Sequence, residues 1–259
     1  MRKALIAANW KMHGSVALLS TYLQDLQMHA AVDVVLAPPT VYLAAALQQA
    51  PAGLALGVQD IGTDAEGAHT GEVAAEMVCE LGGTWAIVGH SERRLQQHET
   101  DELVAAKTAA ALRGNLLPIV CVGETLAERE AGEEFAVVRR QLAAVLERVD
   151  CHELCAAAVG YEPVWAIGTG ETASPDQAQE MHAFIRSQLA ARDVDAAQRI
   201  RIVYGGSVKP ANAEELFGQT DIDGGLVGGA SLDAMQFSAI IAAAAKSQAA
   251  RRTDPGKDG

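Results

Sequence analysis

Eight short apolar runs, each followed by a stretch of polar and apolar residues, constrain the fold of this chain more than any other feature. The runs occupy residues 4–10, 33–39, 55–61, 85–91, 116–123, 155–163, 201–208 and 224–230. They are apolar throughout rather than alternating, which indicates strands buried on both faces, as in a parallel sheet covered by helices. Between them, helical periodicity marks residues 16–29, 72–81, 101–113, 133–149, 175–192 and 211–217.

The number of these units favours a closed barrel. Eight strand–helix units in 259 residues suit a (β/α)₈ barrel, whereas doubly wound sheets more often have about five to seven strands. We therefore predict an α/β fold with a single domain over residues 1–246, in which eight parallel strands are ringed by helices. Residues 247–259 lack apolar periodicity and are expected to form a disordered tail.

The charge balance excludes several classes of function. With 33 acidic and 20 basic residues, the net charge is −13. Such a chain is poorly suited to nucleic acid, whose phosphates must be neutralised by Lys and Arg, or to anionic membrane surfaces. Any phosphate site has to be built locally, from backbone N–H groups and one or two placed cations.

Targeting and cysteine patterns predict a cytoplasmic protein without a metal. The first apolar run is too short for a signal-peptide core, and no apolar stretch approaches the roughly 18 residues that span a bilayer. The four cysteines have no framework spacing, so we expect reduced thiols. Cys151, His152 and Cys155 have no second ligand pair, and zinc takes about four ligands.

Residues with catalytic potential follow the C-terminal ends of the predicted strands. Asn9 and Lys11 follow the first run, His90 the fourth and Glu162 the sixth, and glycine pairs follow the seventh and eighth. In a parallel barrel all eight strand-to-helix loops converge at that rim, where active sites form. The sequence therefore predicts a site at this end of the barrel.

Five segments resemble the signature segments of the triosephosphate isomerase family, in the family's order. They are NWKM (9–12), VGHSERR (88–94), GYEPVWAIGTG (160–170), YGGSV (204–208) and LVGGASL (226–232), and the likeness covers nearly all of residues 2–245. The resemblance implies a TIM barrel that interconverts dihydroxyacetone phosphate and D-glyceraldehyde 3-phosphate through an enediolate, in glycolysis and gluconeogenesis. It implies no cofactor.

The resemblance also implies roles for five catalytic residues. Glu162 matches the base that removes a proton from carbon, and Lys11 matches the cation that stabilises the oxyanion and the phosphate. His90 matches the electrophile, which in this family is a neutral histidine whose pKa is lowered by the N-terminus of the next helix. Asn9 offers an amide to the same oxygens, and Glu92 orients Lys11 and His90.

Backbone N–H groups are expected to bind the phosphate. Gly206 and Ser207 follow the seventh run, and Gly228 and Gly229 follow the eighth; glycine lets the backbone approach an anion closely. Barrels often bind phosphate at these two loops. Asn9 and Lys11 are expected to contribute from the first loop.

By the same resemblance, residues 163–173 form a lid that closes over the substrate and excludes water, as is known of this family. Gly168 would donate its N–H to the phosphate when the lid is closed. Glu171 stands where the family often has Lys, and since exposed charges are screened we expect an effect on rate only. The lid residues are Pro163, Val164, Trp165, Ala166, Ile167, Gly168, Thr169, Gly170, Glu171, Thr172 and Ala173.

The polar loop at residues 62–73 projects into a partner subunit in this family. The resemblance implies an isologous homodimer, with Thr70 near Asn9 of the partner subunit and Lys11 of the partner subunit. Gln59, Glu99 and Met12 match other interface positions, and His69 stands where an aromatic residue is usual.

Two other functions fit parts of the sequence pattern. A different phosphate-binding barrel enzyme, such as a sugar-phosphate epimerase or lyase, would explain the glycine pairs but not Lys11, His90 and Glu162 together. A non-catalytic interaction protein on this scaffold would be expected to lack one of those three residues. A dinucleotide-like pattern at residues 168–173 lies in the sixth unit, behind Pro163, and is rejected.

Overall fold

Eight parallel strands close into one barrel in chain order, with β1 paired to both β2 and β8. This computed structural model describes residues 2–167 and 172–253. The predicted TIM barrel with a single domain is confirmed. The strands are β1 (Ala4–Asn9), β2 (Val32–Ala37), β3 (Leu54–Val58), β4 (Trp85–Val88), β5 (Leu117–Val122), β6 (Ala158–Tyr161), β7 (Arg201–Tyr204) and β8 (Gly224–Val227).

Helices surround the barrel, and each predicted helical stretch contains one of them. They are α1 (Val16–Asp25), α2 (Leu43–Gln49), α3 (Ala75–Leu81), α4 (Ser91–Gln96), α5 (Asp101–Arg113), α6 (Leu126–Glu130), α7 (Glu134–Arg148), α8 (Pro175–Ala190), α9 (Val194–Arg199), α10 (Pro210–Phe217) and α11 (Ala234–Thr253). Several of the additional helices are shorter than two turns, too short for periodicity to reveal them.

The prediction of a disordered tail from residue 247 is wrong as far as Thr253, because α11 continues to that residue. Ser247 is buried, and the Gln248 side chain donates to the Arg2 carbonyl at 2.6 Å. The Arg251 guanidinium donates to the carbonyl of Phe217 at 2.9 Å. These polar contacts order the end of the helix without the apolar periodicity on which the prediction rested. Residues 254–259 lie outside the described part of the chain.

The strands are buried on both faces because two apolar clusters enclose them. Along β1, Leu5 and Ala7 point into the barrel, where they belong to an inner cluster with residues of the other strands. Ala4, Ile6 and Ala8 belong to the outer cluster that the helices cover. This alternation leaves no polar face on the strand, which explains the continuous apolar runs.

Candidate active site

Asn9 and Lys11 are positioned by the end of β1. Asn9 is buried, and its side-chain oxygen accepts the backbone N–H of Lys11 at 3.0 Å. Lys11 has a φ of 51°, a left-handed conformation that costs a non-glycine residue roughly 1–2 kcal/mol. Gln59 secures it by donating its amide to the Lys11 carbonyl at 2.9 Å. These bonds fix the backbone from which the ammonium group extends.

The predicted catalytic groups form one continuous array at the rim. Lys11 Nζ lies 2.6 Å from Glu92 Oε1, and the other oxygen of Glu92 lies 3.7 Å from His90 Nδ1. On the far side of the ring, His90 Nε2 lies 3.0 Å from Glu162 Oε1. An ammonium group, an imidazole and a carboxylate are thus brought together, with Glu92 between the first two.

Hydrogen bonding assigns the proton of the His90 ring. His90 caps α4, and its Nδ1 accepts the backbone N–H of Glu92 at 3.2 Å. A nitrogen that accepts a hydrogen bond carries no proton, so the neutral ring has its proton on Nε2. That N–H faces the site and Glu162.

Neighbouring charges shift the pKa values of His90 and Glu162 in the direction opposite to the effect of burial. Burial lowers the pKa of His90, but the Glu162 and Glu92 carboxylates outweigh it, so this pKa lies above its ordinary value. Burial favours protonation of Glu162, but His90, the Ser91 N–H and Lys11 outweigh it, so the pKa of Glu162 lies below its ordinary value. Glu162 is therefore ionised at neutral pH.

The raised pKa of His90 differs from the lowered pKa that the family resemblance implies. The difference has a physical cause, because Glu162 is the largest influence that raises the pKa and it is in contact with the ring. If Glu162 moves away, burial and the Lys11 charge remain to lower the pKa of His90, while the Glu92 carboxylate remains to raise it. The protonation of the ring therefore depends on where the base lies.

Glu162 rests against the start of α4. Its Oε2 accepts the Ser91 N–H at 2.7 Å, and the residue is 2% exposed. Carboxylates are stabilised at a helix N-terminus by the unpaired N–H groups there. The Ser91 N–H therefore holds this carboxylate oxygen at the helix N-terminus, beside the cavity that Glu162 lines.

A cavity of about 500 Å³ opens beside these groups at the mouth of the barrel. Asn9, Lys11, His90 and Glu162 line it together with the glycine loops after β7 and β8. The predicted phosphate residues on those loops all line the cavity: Gly206, Ser207, Gly228 and Gly229. The same cavity therefore joins the acid–base groups to the expected anion site.

The glycines of these loops bring backbone close to the catalytic groups. A side chain at Gly206 would overlap the Tyr204 hydroxyl, and one at Gly228 would lie 3.5 Å from the Lys11 Cε atom. A Cβ atom added at Gly229 would have no heavy atom of the described residues within 4 Å, which leaves room for a ligand. The β8 loop is thus adjacent to the ammonium group of Lys11.

Glu124 was missed in the sequence. It follows β5 and is fully buried, where its Oε1 accepts the Tyr161 hydroxyl at 3.1 Å, the Trp165 indole N–H at 2.9 Å and the Arg129 guanidinium at 3.1 Å. Burial raises its pKa despite these bonds. Its backbone carbonyl also accepts the Val164 N–H at 3.0 Å. A carboxylate directly after a predicted strand was the signal that could have revealed it.

Only part of the predicted lid lies within the described residues. Residues 164–166 form a short 3₁₀ turn, Ala166 and Ala173 are buried, and Ile167 lines the cavity. Thr172 is exposed. Gly168, Thr169, Gly170 and Glu171 lie outside the part of the chain that the structure describes.

The predicted interface residues border a second hollow of about 410 Å³. Met12 and Gln59 line it, along with Asn9, Lys11 and His90, which are predicted to be catalytic. Met12 is 95% exposed. The Glu99 carboxylate accepts hydrogen bonds from the Arg93 guanidinium and the Lys107 ammonium, both at 2.6 Å. Glu99 also lines an adjoining hollow together with His69. Thr70 is exposed on the loop at residues 62–73, other residues of which line both hollows.

Across residues 2–167 and 172–253, no helix is long and apolar enough to cross a membrane. The same residues contain no group of three or more His, Cys, Asp or Glu side chains that could hold a metal ion.

The fold and the site together define a class of protein: (β/α)₈ barrel enzymes with acid–base groups and glycine-rich anion loops at the C-terminal rim. Comparison with known proteins identifies the family. The family model described as triosephosphate isomerase matches residues 4–244.

Named relatives agree. The chain is 54% identical to the triosephosphate isomerase of Cupriavidus necator over 244 residues, which is 93% of this chain and 99% of the relative. It is 51% identical to that of Xanthomonas campestris over 249 residues and 53% identical to that of Stenotrophomonas maltophilia over 250, covering 95% of this chain and 99% of the relative in both. The chain belongs to the triosephosphate isomerase family.

Proposed function

We propose that the chain interconverts dihydroxyacetone phosphate and D-glyceraldehyde 3-phosphate through an enediolate, in glycolysis and gluconeogenesis. The observation that carries the assignment of roles is the array of Lys11, His90 and Glu162 at one cavity that also includes the β7 and β8 loops. A different sugar-phosphate enzyme would need the glycine loops but not this combination. A non-catalytic protein would need neither.

The reaction begins when the Glu162 carboxylate takes a proton from the hydroxyl-bearing carbon of dihydroxyacetone phosphate. The electron pair of that C–H bond forms the C–C double bond, and the carbonyl oxygen becomes an oxyanion. His90 donates to this oxygen from Nε2, and the Lys11 ammonium stabilises the developing charge. Glu162 then returns the proton to the adjacent carbon, while proton exchange between the two oxygens through His90 completes the aldehyde.

The resting contact of Glu162 supports a coupled change of protonation. As the carboxylate moves from Ser91 onto the substrate, His90 loses the neighbour that does most to raise its pKa. Burial and Lys11 then favour the neutral ring against the remaining Glu92 carboxylate. The neutral ring can donate from Nε2 because Nδ1 is already occupied as an acceptor. A neutral donor matches the histidine that is known for this family.

Binding and exclusion of water are assigned to the loops. Ser207, Gly228 and Gly229 hold the phosphate with backbone N–H groups, Asn9 and Lys11 contribute from the β1 loop, and Gly168 adds its N–H when the lid closes. Closure of residues 163–173 keeps water from the enediolate, which would otherwise lose its phosphate. No cofactor takes part in this scheme.

We further propose an isologous homodimer in the cytoplasm. Thr70 of the partner subunit would enter the hollow beside Asn9 and Lys11, and the contact would include Met12, Gln59 and Glu99. The exposure of Met12 next to this hollow supports the proposal, since a large apolar side chain in water gains by being covered.

An assay of the purified chain on glyceraldehyde 3-phosphate, coupled to reduction of dihydroxyacetone phosphate, tests the activity. Glu162→Asp withdraws the carboxylate by one methylene, and we expect kcat to fall about 100-fold or more, because misplacing a catalytic group by about 1 Å has effects of that size. Circular dichroism should show an unchanged fold. An inactive wild-type chain would refute the reaction, whereas a fully active Glu162→Asp variant would refute only the base.

A further inference from the structure

A buried glutamine on α7 is bonded to the backbone just behind the catalytic base. Gln141 is 5% exposed. Its Oε1 accepts the backbone N–H of Gly123 at 2.7 Å, and its Nε2 donates to the carbonyl of the same residue at 3.0 Å. One side-chain amide therefore satisfies both backbone polar groups of a single residue, in the way that a neighbouring strand would.

Gly123 lies directly against the backbone of Glu162. A side chain at Gly123 would overlap the Glu162 carbonyl oxygen, so the two peptide segments are in van der Waals contact at that point. Gly205 encloses the base from the other side, because a side chain there would come within 2.8 Å of the Glu162 Cγ atom. The backbone and side chain of the base thus lie between two glycines.

Hydrogen bonds on either side of Gly123 extend this contact. The Glu162 N–H donates to the Val122 carbonyl at 2.8 Å, and the Val164 N–H donates to the Glu124 carbonyl at 3.0 Å. The segment after β5 therefore continues the parallel ladder past the end of β6, with Gly123 in the middle. Any shift of Gly123 is transmitted to the peptide that carries the base.

We propose that Gln141 is a positioning residue for Glu162, acting through Gly123; this inference rests on the proposed function. Without the amide, the N–H and the carbonyl of Gly123 would lose these partners at a half-buried position, and the segment after β5 would shift to find others. The carboxylate would then start its movement from a displaced backbone. Loss of the amide therefore displaces Glu162 and leaves the phosphate-binding loops in place.

This proposal predicts a defect in turnover rather than in binding. In Gln141→Leu we expect kcat to fall about tenfold or more with KM within about twofold of wild type, since small displacements of a base reduce rate steeply. Gln179→Leu is the matched control. The Gln179 amide bonds the Asp221 side chain and backbone at 2.7 and 3.0 Å. Asp221 precedes β8 and so lies towards the N-terminal ends of the strands, whereas Glu162 follows β6 at the C-terminal ends. Gln179→Leu should lower the melting temperature without lowering kcat.

A double-mutant cycle separates positioning from a general loss of stability. Gln141→Leu and Glu162→Asp both displace the same carboxylate, so the combined variant should lose clearly less than the product of the two single effects on kcat. Gln179→Leu combined with Glu162→Asp should give a simple product. Multiplicative losses in the first cycle would overturn the proposal, as would a wild-type kcat in Gln141→Leu.

Gln141→Glu provides a second variant should the leucine variant fail to fold. The protonated carboxyl group has the shape of the amide and can both accept from the Gly123 N–H and donate to its carbonyl, whereas the ionised group can only accept. Relative to wild type at each pH, kcat should recover as the pH is lowered. A ratio that stays constant or declines would count against Gln141, while the wild-type assay remains an independent test of the proposed function.

Discussion

At the residue scale, the base and the imidazole determine each other's protonation. Each is buried, and burial alone would leave both neutral. Their separation of 3.0 Å reverses this, lowering the pKa of Glu162 and raising that of His90. The pair therefore keeps the Glu162 carboxylate ionised although the residue is buried.

Replacing His90 tests this coupling through the pH dependence of activity. His90 lowers the pKa of Glu162, so His90→Gln should raise that pKa and move the acid limb of kcat/KM to higher pH. The sign follows because activity needs ionised Glu162 and is lost as the pH falls through its pKa. Loss of the donor should also reduce kcat about 100-fold or more. Both are measured by initial rates across pH.

His152→Gln is the matched control, because His152 lies on the 3₁₀ segment before β6 and is exposed. Its acid limb should coincide with that of wild type. If the acid limb of kcat/KM in His90→Gln coincides with that of wild type, the ionisation that limits kcat/KM at low pH belongs to a group other than Glu162.

At the element scale, the sequence predicted what depends on burial and missed what depends on hydrogen bonds. Continuous apolar runs revealed all eight strands, because helices cover the outer face of each strand and the barrel interior covers the other. The run at 155–163 began too early: Asp150 and Glu153 cap a 3₁₀ segment, Cys151–Ala156, that directly precedes β6.

The candidate site shows the same difference between residues that the sequence pattern reveals and residues placed by tertiary hydrogen bonds. Asn9, Lys11, His90 and Glu162 could be predicted because they stand at strand ends within long motifs. Gln141 could not, because it lies in the middle of a helix, and nothing in the local pattern indicates that its amide bonds a loop 18 residues earlier. Contacts of that kind are set by tertiary packing rather than by period.

Glu124, on the connection after β5, is predicted to stabilise the start of the lid through its hydrogen bonds to Val164 and Trp165. In Glu124→Gln the acceptor for Trp165 and Tyr161 keeps its size but loses its charge, and hydrogen bonds to charged groups are roughly twice as strong as neutral ones. We expect amide hydrogen exchange in residues 163–167 of the ligand-free protein to accelerate about fivefold, which corresponds to a loss of roughly 1 kcal/mol. Mass spectrometry of the peptides measures it.

Glu128→Gln is the control for this experiment. Glu128 completes the capping box of α6 by accepting the Thr125 N–H at 2.7 Å, and it does not bond the lid residues described. Exchange at residues 163–167 should then match wild type. Equal acceleration in both variants would indicate general loosening of the loop and not a specific hold by Glu124.

At the scale of the whole molecule, the position of the site relative to the second hollow matters most. Asn9, Lys11 and His90 line both the catalytic cavity and the hollow assigned to a partner subunit. A loop that fills the second hollow would contact residues that also line the catalytic cavity. Assembly and catalysis are therefore expected to depend on each other.

Met12→Arg tests this dependence. Met12 is an apolar side chain 95% exposed in the single chain, and burying an added charge without a partner in an interface is costly. We expect the variant to dissociate at concentrations where wild type is dimeric, and its activity per chain to fall on dilution. Light scattering and diluted assays measure the two effects. Val194→Arg, at an apolar position 63% exposed on α9, should change neither. A monomeric wild-type chain with full activity would contradict the dimer and its link to catalysis.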